Sequence, residues 1–183
     1  MGAAAQLHDD LIDRCIAGDR TAWEELHREY RPQALAFLRR LGVRPRETDD
    51  ACQEVFLQVF RYLDRFERRA DFRTWLFKLC ITQAGRLRRR AILVRPLAWL
   101  RGDESAAFPE WSAFRAAEVA ERALAGLTAR QRTVFVLFEL EGLPTAEIAR
   151  LLECPGATVR RTLQDARRRF ERYVRNEPME GSR

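Results

Sequence analysis

Lysine is almost missing from this chain of 183 residues: Lys78 stands alone, and every other basic side chain is arginine. A bias that uniform matches genome composition and is no sign of phosphate binding by itself. Histidine is nearly as scarce, at His8 and His27, and the four cysteines Cys15, Cys52, Cys80 and Cys154 never form a C-x-x-C pair. Ordinary zinc and dithiol motifs are thereby excluded, and free thiols buried in a reducing cytoplasm are expected. There is no nucleophile–base pair, phosphate-cradling glycine loop or metal cluster, so no enzyme activity, cofactor or metal is expected. Every long apolar run is broken by arginine, and residues 1–6 lack the basic start and apolar core of a secretory signal. No membrane insertion is expected.

What the chain does hold is helix. Hydrophobic residues make up 46% and charged residues 33%, enough apolar material for packed cores and too much for a disordered chain. The net charge of +6 permits a polyanionic partner without proving one. No alternating strand pattern appears, so the fold class is all-α, with two small helical domains at 7–92 and 112–176 joined by a flexible linker at 93–111. A first helix turns Leu11, Ile12, Cys15 and Ile16 inward and stops at Gly18. The next is capped by Asp19, runs through Trp23, Leu26 and Tyr30 toward Phe37 and Leu38, and should bend or restart at Pro32.

Thr48 or Asp49 opens a third helix with two unlike sides. Cys52, Val55, Phe56, Val59, Phe60 and Leu63 face inward, while Asp49, Asp50, Gln53, Glu54 and Gln58 face out. Acids in a first turn also suit the helix dipole, which accounts for half of them. A charged loop follows at 66–71, and a helix resumes near Phe72 with Trp75, Leu76, Leu79 and Cys80 inward. From Phe72 to Gly102 there is no acidic residue, while Arg73, Lys78, Arg86, Arg88, Arg89, Arg90, Arg95 and Arg101 fall there. Charge so one-sided has few local partners and should face solvent or phosphate. Arg95-Pro96 and 102–109 mark the linker, whose Leu97, Trp99, Leu100 and Trp111 should lie against something.

The second half carries a helix-turn-helix pattern. Thr128 and Gln131 form a capping box for a helix whose apolar content is Val134, Phe135, Leu137 and Phe138. A short helix then turns Ile148, Ala149 and Leu152 inward, and Glu153-Cys154-Pro155 makes the turn. The last helix starts near Gly156 with Val159, Leu163, Ala166, Phe170 and Val174 inward at helical spacing. Its outer face is Arg160, Arg161, Gln164, Arg167 and Arg168. Arginine pairs bidentately with guanine and glutamine with adenine, and early residues of such a helix sit deepest in the major groove. Arg160, Arg161 and Gln164 are thus the expected base readers; Arg167, Arg168, Arg169 and Arg172 should meet phosphate or solvent.

These pieces together resemble a known family. Ala17-Gly18-Asp19 followed by Trp23, the run from Asp50 to Phe56, Leu63-Asp64-Arg65-Phe66, and Phe72-Arg73-Thr74-Trp75-Leu76 are similar to region two of the extracytoplasmic-function sigma factors. Gly126-Leu127, Arg130-Gln131-Arg132, the run from Phe138 to Gly142, and Ala146-Glu147-Ile148-Ala149 are similar to their region four. Each piece alone is weak; their order and spacing are specific.

The resemblance implies a transcription initiation factor that binds core RNA polymerase, through the beta-prime coiled coil and the beta flap, and promoter DNA. An anti-sigma factor is implied as a partner, and the free chain should be a monomer. In the family the acid-amide face, here Asp49, Asp50, Gln53 and Glu54, docks on the beta-prime coiled coil. The unpaired minus-ten strand would fall to Arg68, Arg69, Asp71, Phe72, Lys78, Thr82, Arg86 and Arg89, with Phe72 and Trp75 the aromatic candidates for a stacked base. The minus-thirty-five duplex would fall to Thr158, Arg160, Arg161, Gln164, Arg167 and Arg168. The family's linker threads toward the RNA path of the polymerase.

Departures from the family pattern bear on promoter choice. Thr82 and Arg86 stand where Asn and Asp are usual, Glu153 where a turn glycine is usual, and Thr162 and Asp165 where arginines are common. Two other readings account for part of the pattern. A free-standing helix-turn-helix regulator explains the second half alone. A degenerate sigma-like protein acting through protein contacts would explain the altered positions.

Overall fold

The computed structural model describes residues 2–68, 70–94 and 112–176. Apart from turns and bends these are helical, with no strand among them. The expected linker residues 95–111, Trp99 and Trp111 included, lie outside the described residues, as does Arg69. The chain divides into two compact units, one of 1–39 with 43–87 and one of 40–42 with 88–183.

The first unit holds α1 (Gly2–Ile16), α2 (Arg20–Arg40), α3 (Pro45–Tyr62), a 3₁₀ turn (Leu63–Arg65) and most of α4 (Phe72–Val94). Its core is aromatic. Phe37 of α2 stacks on Phe77 of α4 with ring centroids 4.1 Å apart, and both are fully buried. Burial of each ring stabilises the unit by roughly 1.5–3 kcal/mol. From α3, Cys52, Val55 and Val59 join this core, with Leu63 of the 3₁₀ turn behind them.

Two boundaries differ from the sequence expectation. α2 runs through Pro32 without interruption, because the proline sits on its exposed side where water can serve the freed carbonyl. α3 begins at Pro45 rather than Thr48, since proline at the first helical position costs no hydrogen bond there. Thr48 lies within the helix and donates its hydroxyl to Arg44 O at 2.9 Å.

The second unit holds α5 (Ser112–Ala125), α6 (Ala129–Phe135), a π turn (Val136–Leu140), α7 (Thr145–Leu151) and α8 (Gly156–Asn176). The capping box forms as expected: Thr128 and Gln131 exchange side-chain and backbone bonds at 3.1 and 3.3 Å. Thr133 to Leu137 are five successive buried residues, more than one face of an α-helix holds. The chain answers with the π turn, closed by Glu141 N donating to Val136 O at 3.0 Å. α8 packs on α5, α6 and α7. Its Val159, Leu163 and Ala166 are buried, and Phe170 stacks on Phe135 at 4.8 Å. Val174, expected inward, is 43% exposed, so the apolar stripe ends a turn earlier than its spacing suggests.

The turn between α7 and α8 carries Glu153 with φ 51, the left-handed region. A side chain there costs about 1–2 kcal/mol that glycine does not incur. Part of any relief is offset by the extra freedom glycine gives the unfolded chain. We expect Glu153→Gly to stabilise the second unit by about 0.5–1 kcal/mol, read as a raised denaturation midpoint. A lowered midpoint would show that the glutamate side chain holds the turn.

The thiols differ sharply in environment. Burial pushes the Cys15 thiol up to about 11, and it raises Cys52 and Cys80 as well. Cys154, at the turn, is half-buried. Because the thiolate is the reactive form, iodoacetamide on the native protein should label Cys154 first and Cys80 last, read by mass spectrometry over time. Equal labelling of Cys80 and Cys154 in folded protein contradicts this packing.

Candidate nucleic-acid interface

On α3 the carboxylates and amides do share an outer face: Asp49, Asp50, Gln53 and Glu54 are all exposed. Asp49 pairs with Arg31 of α2 at 2.7 Å, an exposed contact of small energetic weight. The face is not purely polar. Leu57 is 50% exposed and Phe60 67%, one and two turns beyond Gln53. Phe60 had been expected inward. Cys52, Val55, Val59 and Leu63 fill the buried stripe without it, and Phe60 instead leans on Trp23 with centroids 5.0 Å apart. The helix therefore presents acids beside two apolar side chains, the composition of a protein-docking patch with an anchor. Sequence carried no signal of this, since the six positions over 52–63 follow the spacing of a single apolar stripe.

Beyond the 3₁₀ turn, loop 66–71 borders a cavity of about 560 Å³ whose walls include Asp9, Tyr30, Gln33, Phe66, Arg68 and Asp71. Phe72, the first aromatic candidate for a stacked base, is only 3% exposed. Its ring packs against Tyr30 at 4.7 Å, Trp75 at 5.7 Å and Phe66 at 5.9 Å, so it belongs to the core. Trp75 and Phe66 are half-buried and keep part of each ring outward. Asp71 caps α4, accepting from Thr74 N at 2.7 Å, which gives this exposed acid a structural task in addition to any contact with DNA. Arg68, with φ 54, forms ion pairs to Asp13 and, at 3.9 Å, to Asp9.

Along α4, Lys78, Thr82, Arg86 and Arg89 are exposed at spacings of four, four and three residues. That places them on one face in a stripe roughly 16 Å long. Thr82 donates its hydroxyl to Lys78 O at 2.9 Å, so it is already bonded within its own helix. Thr74, Leu76, Phe77 and Cys80 occupy the opposite, buried side.

In the second unit, Arg160, Arg161 and Gln164 are exposed on the first half of α8 and border a groove of about 540 Å³ with Phe138, Thr145 and Arg167. Thr158 is half-buried in the same helical turn. Two arginines expected to meet phosphate are engaged within the unit. Arg167 bonds Glu139 at 2.5 Å and lies over the Phe138 ring at 5.1 Å. Arg168 pairs with Asp165 at 2.9 Å. Asp165 thus has a partner on its own helix, in an exposed pair of small energetic weight. The π turn, invisible to helical periodicity, carries Phe138 and Glu139 onto Arg167.

Among the described residues no cluster of His, Cys, Asp and Glu could hold a metal, and no helix is long and apolar enough to cross a membrane.

Comparison with known proteins agrees with this arrangement. Residues 26–91 match the family model described as Sigma-70 region 2, and residues 117–170 match Sigma-70, region 4. The two cover more than half of the chain. Among relatives, the RNA polymerase sigma-H factor of Pseudomonas aeruginosa is 27% identical, over 90% of this chain and 92% of its own length. The ECF RNA polymerase sigma factor SigM of Mycobacterium tuberculosis is 29% identical, over 90% of this chain and 83% of its own. The sigma factor RpoE of Bartonella quintana, solved with the anti-sigma factor NepR, has the same fold at a TM-score of 0.71, with 20% identity over 84% of this chain and 97% of that one. CnrH, solved with the cytosolic domain of CnrY, gives a TM-score of 0.69 at 23% identity, over 93% of this chain and 98% of that one. The acid-faced α3, the basic stripe of α4 and the exposed arginines of α8 lie within the two matched regions, and the chain belongs to the sigma-70 family as an extracytoplasmic-function sigma factor.

Proposed function

We propose that the acid-and-apolar face of α3 docks this sigma factor on the beta-prime coiled coil of core RNA polymerase, while loop 66–71 and α4 hold the unpaired minus-ten strand and α8 reads the minus-thirty-five duplex. The domain of 7–92 carries the first two tasks and that of 112–176 the third, with 93–111 as the connection. The observation that carries this reading is the sorting of surfaces. Asp50, Gln53 and Glu54 flank exposed Leu57 and Phe60 on α3. Lys78, Arg86 and Arg89 line α4, and Arg160, Arg161 and Gln164 line α8. Carboxylates around an apolar anchor suit a basic coiled coil. The α4 stripe suits a single strand's phosphates, and half-buried Phe66 at the cavity, with Trp75 against it, suits a base drawn from its stack. A stacked base contributes about 1–3 kcal/mol toward keeping the strand open.

The factor itself performs no catalysis; phosphodiester chemistry belongs to the polymerase. It acts in the cytoplasm and needs neither metal nor cofactor. The region-four unit also meets the beta flap, and the chain is a monomer when free. Two fold neighbours were solved with anti-sigma partners, which supports an anti-sigma factor for this chain too. The free-standing regulator leaves the α3 face without a purpose.

Two tests follow from the surfaces. Phe60→Ala and Glu54→Lys should each weaken co-purification with core polymerase, Phe60→Ala by about 1–2 kcal/mol, or five- to thirtyfold in Kd, with the fold intact by circular dichroism. Unchanged binding in both variants removes α3 from the docking surface. In holoenzyme, Arg160→Ala or Gln164→Ala should cost about 1–3 kcal/mol on the preferred upstream element and much less on elements changed at the contacted base. Arg168→Ala should shift all sequences alike. Equal losses on every sequence for all three would take the base-reading role away from Arg160 and Gln164.

A further inference from the structure

Arg68 is set otherwise than its sequence expectation as a DNA contact. It lies in a loop that borders the cavity at the start of α4, yet its guanidinium is turned onto α1, where it pairs with Asp13 and reaches Asp9 at 3.9 Å. Its backbone takes φ 54, a conformation that arginine enters only when surrounding contacts hold it. The other basic residue of that part of α1, Arg14, does not compete for these acids. It is bonded to Asp19 at 2.8 Å and to Glu25 at 3.5 Å. α1 thus offers Asp9 and Asp13, one turn apart and on one face, to the loop.

We infer that Arg68 is a positioning residue for minus-ten capture: its clasp on Asp13 and Asp9 of α1 fixes loop 66–71 at the mouth of the base cavity, and it does not itself bind DNA. The inference rests on the minus-ten role proposed above. Phe66 and Asp71, at the two ends of this loop, also border the cavity. Phe66 touches Phe72 and Trp75, and Asp71 caps α4, so both ends are anchored to the unit's core. Between these ends, Arg68 is tied to α1. Arg68 is spent on two carboxylates of its own chain, on a helix separate from the α4 stripe.

The sign of the effect at Asp13 separates the two roles. Removing an acid beside a DNA-binding arginine strengthens DNA binding; removing the acid that holds a positioning arginine weakens it. With holoenzyme on a promoter that the wild type opens, Asp13→Ala and Arg68→Gln should each lower open-complex formation by about two- to fivefold, the size of one exposed ion pair. Permanganate reactivity of unpaired thymines reads this directly. The double variant should be no worse than Arg68→Gln alone, because both changes break one contact. The salt dependence of binding should keep its slope in Arg68→Gln, since no phosphate contact is lost.

A second measurement needs no promoter: hydrogen exchange of the free protein should speed up at 66–71 in both variants, with the α2–α4 core unchanged. Stronger opening in Asp13→Ala, or a salt slope reduced by about one in Arg68→Gln, overturns the inference and returns Arg68 to the DNA contacts. Unchanged exchange at 66–71 overturns the clasp itself. If wild-type holoenzyme opens no promoter at all, the minus-ten role fails, and the assignment of Arg68 to base capture fails with it, whatever the exchange shows.

Discussion

The stacking of Phe37 on Phe77 is the contact on which the first unit depends, because it fixes the rotation of α4 about its own axis. A helix with arginines at 73, 86, 88, 89 and 90 has several ways to turn basic groups toward water. Seating Phe77, with Leu76 and Cys80, against α2 selects one of them. Lys78, Thr82, Arg86 and Arg89 then share the free side as a geometric consequence of the 3.6-residue turn. Tyr30 against Phe72 repeats the constraint at the start of the helix and brings loop 66–71 beside the cavity. The basic face of this unit is therefore set by apolar contacts on its opposite side.

The second unit shows the same logic with a different device. Five consecutive buried residues, Thr133 to Leu137, run from α6 into the wider π turn. Its cost in hydrogen-bond geometry is matched by what it positions: Phe138 under Arg167 and Glu139 against its guanidinium. Arg167 thus helps hold α8 in place, and the early residues of α8 are left as the exposed ones. A π turn beside a working surface is a common placement.

Charge in this protein is managed locally more than the composition suggests. A net charge of +6 spread over arginines reads as a surface ready for polyanions. Several of those arginines are bound to acids of their own unit: Arg14 to Asp19, Arg31 to Asp49, Arg68 to Asp13, Arg167 to Glu139 and Arg168 to Asp165. Exposed pairs of this kind add little stability each. Their larger effect is to narrow the basic surface to particular helix faces, which favours register over indiscriminate attachment.

The all-α class, the order of the helices, the capping box at Thr128 and the outward face of Asp49 to Glu54 were legible in the residues alone, because helical period and cap chemistry are local properties. The left-handed backbone at Glu153 was marked only by the resemblance, which puts a turn glycine there, since glutamate is not the residue type such a turn favours. Sequence could not decide which of several apolar residues a packed interface keeps. Phe60 and Phe72 carry the same side chain at similar spacing. One lies open beside the acids of α3 and the other is enclosed by Tyr30, Phe66 and Trp75. Nor could it decide where Arg68 turns, since its partners Asp9 and Asp13 lie more than fifty residues away in the chain. Those outcomes belong to tertiary structure, because packing and ion pairing depend on which surfaces meet in space, and a helical period is blind to what stands across from it.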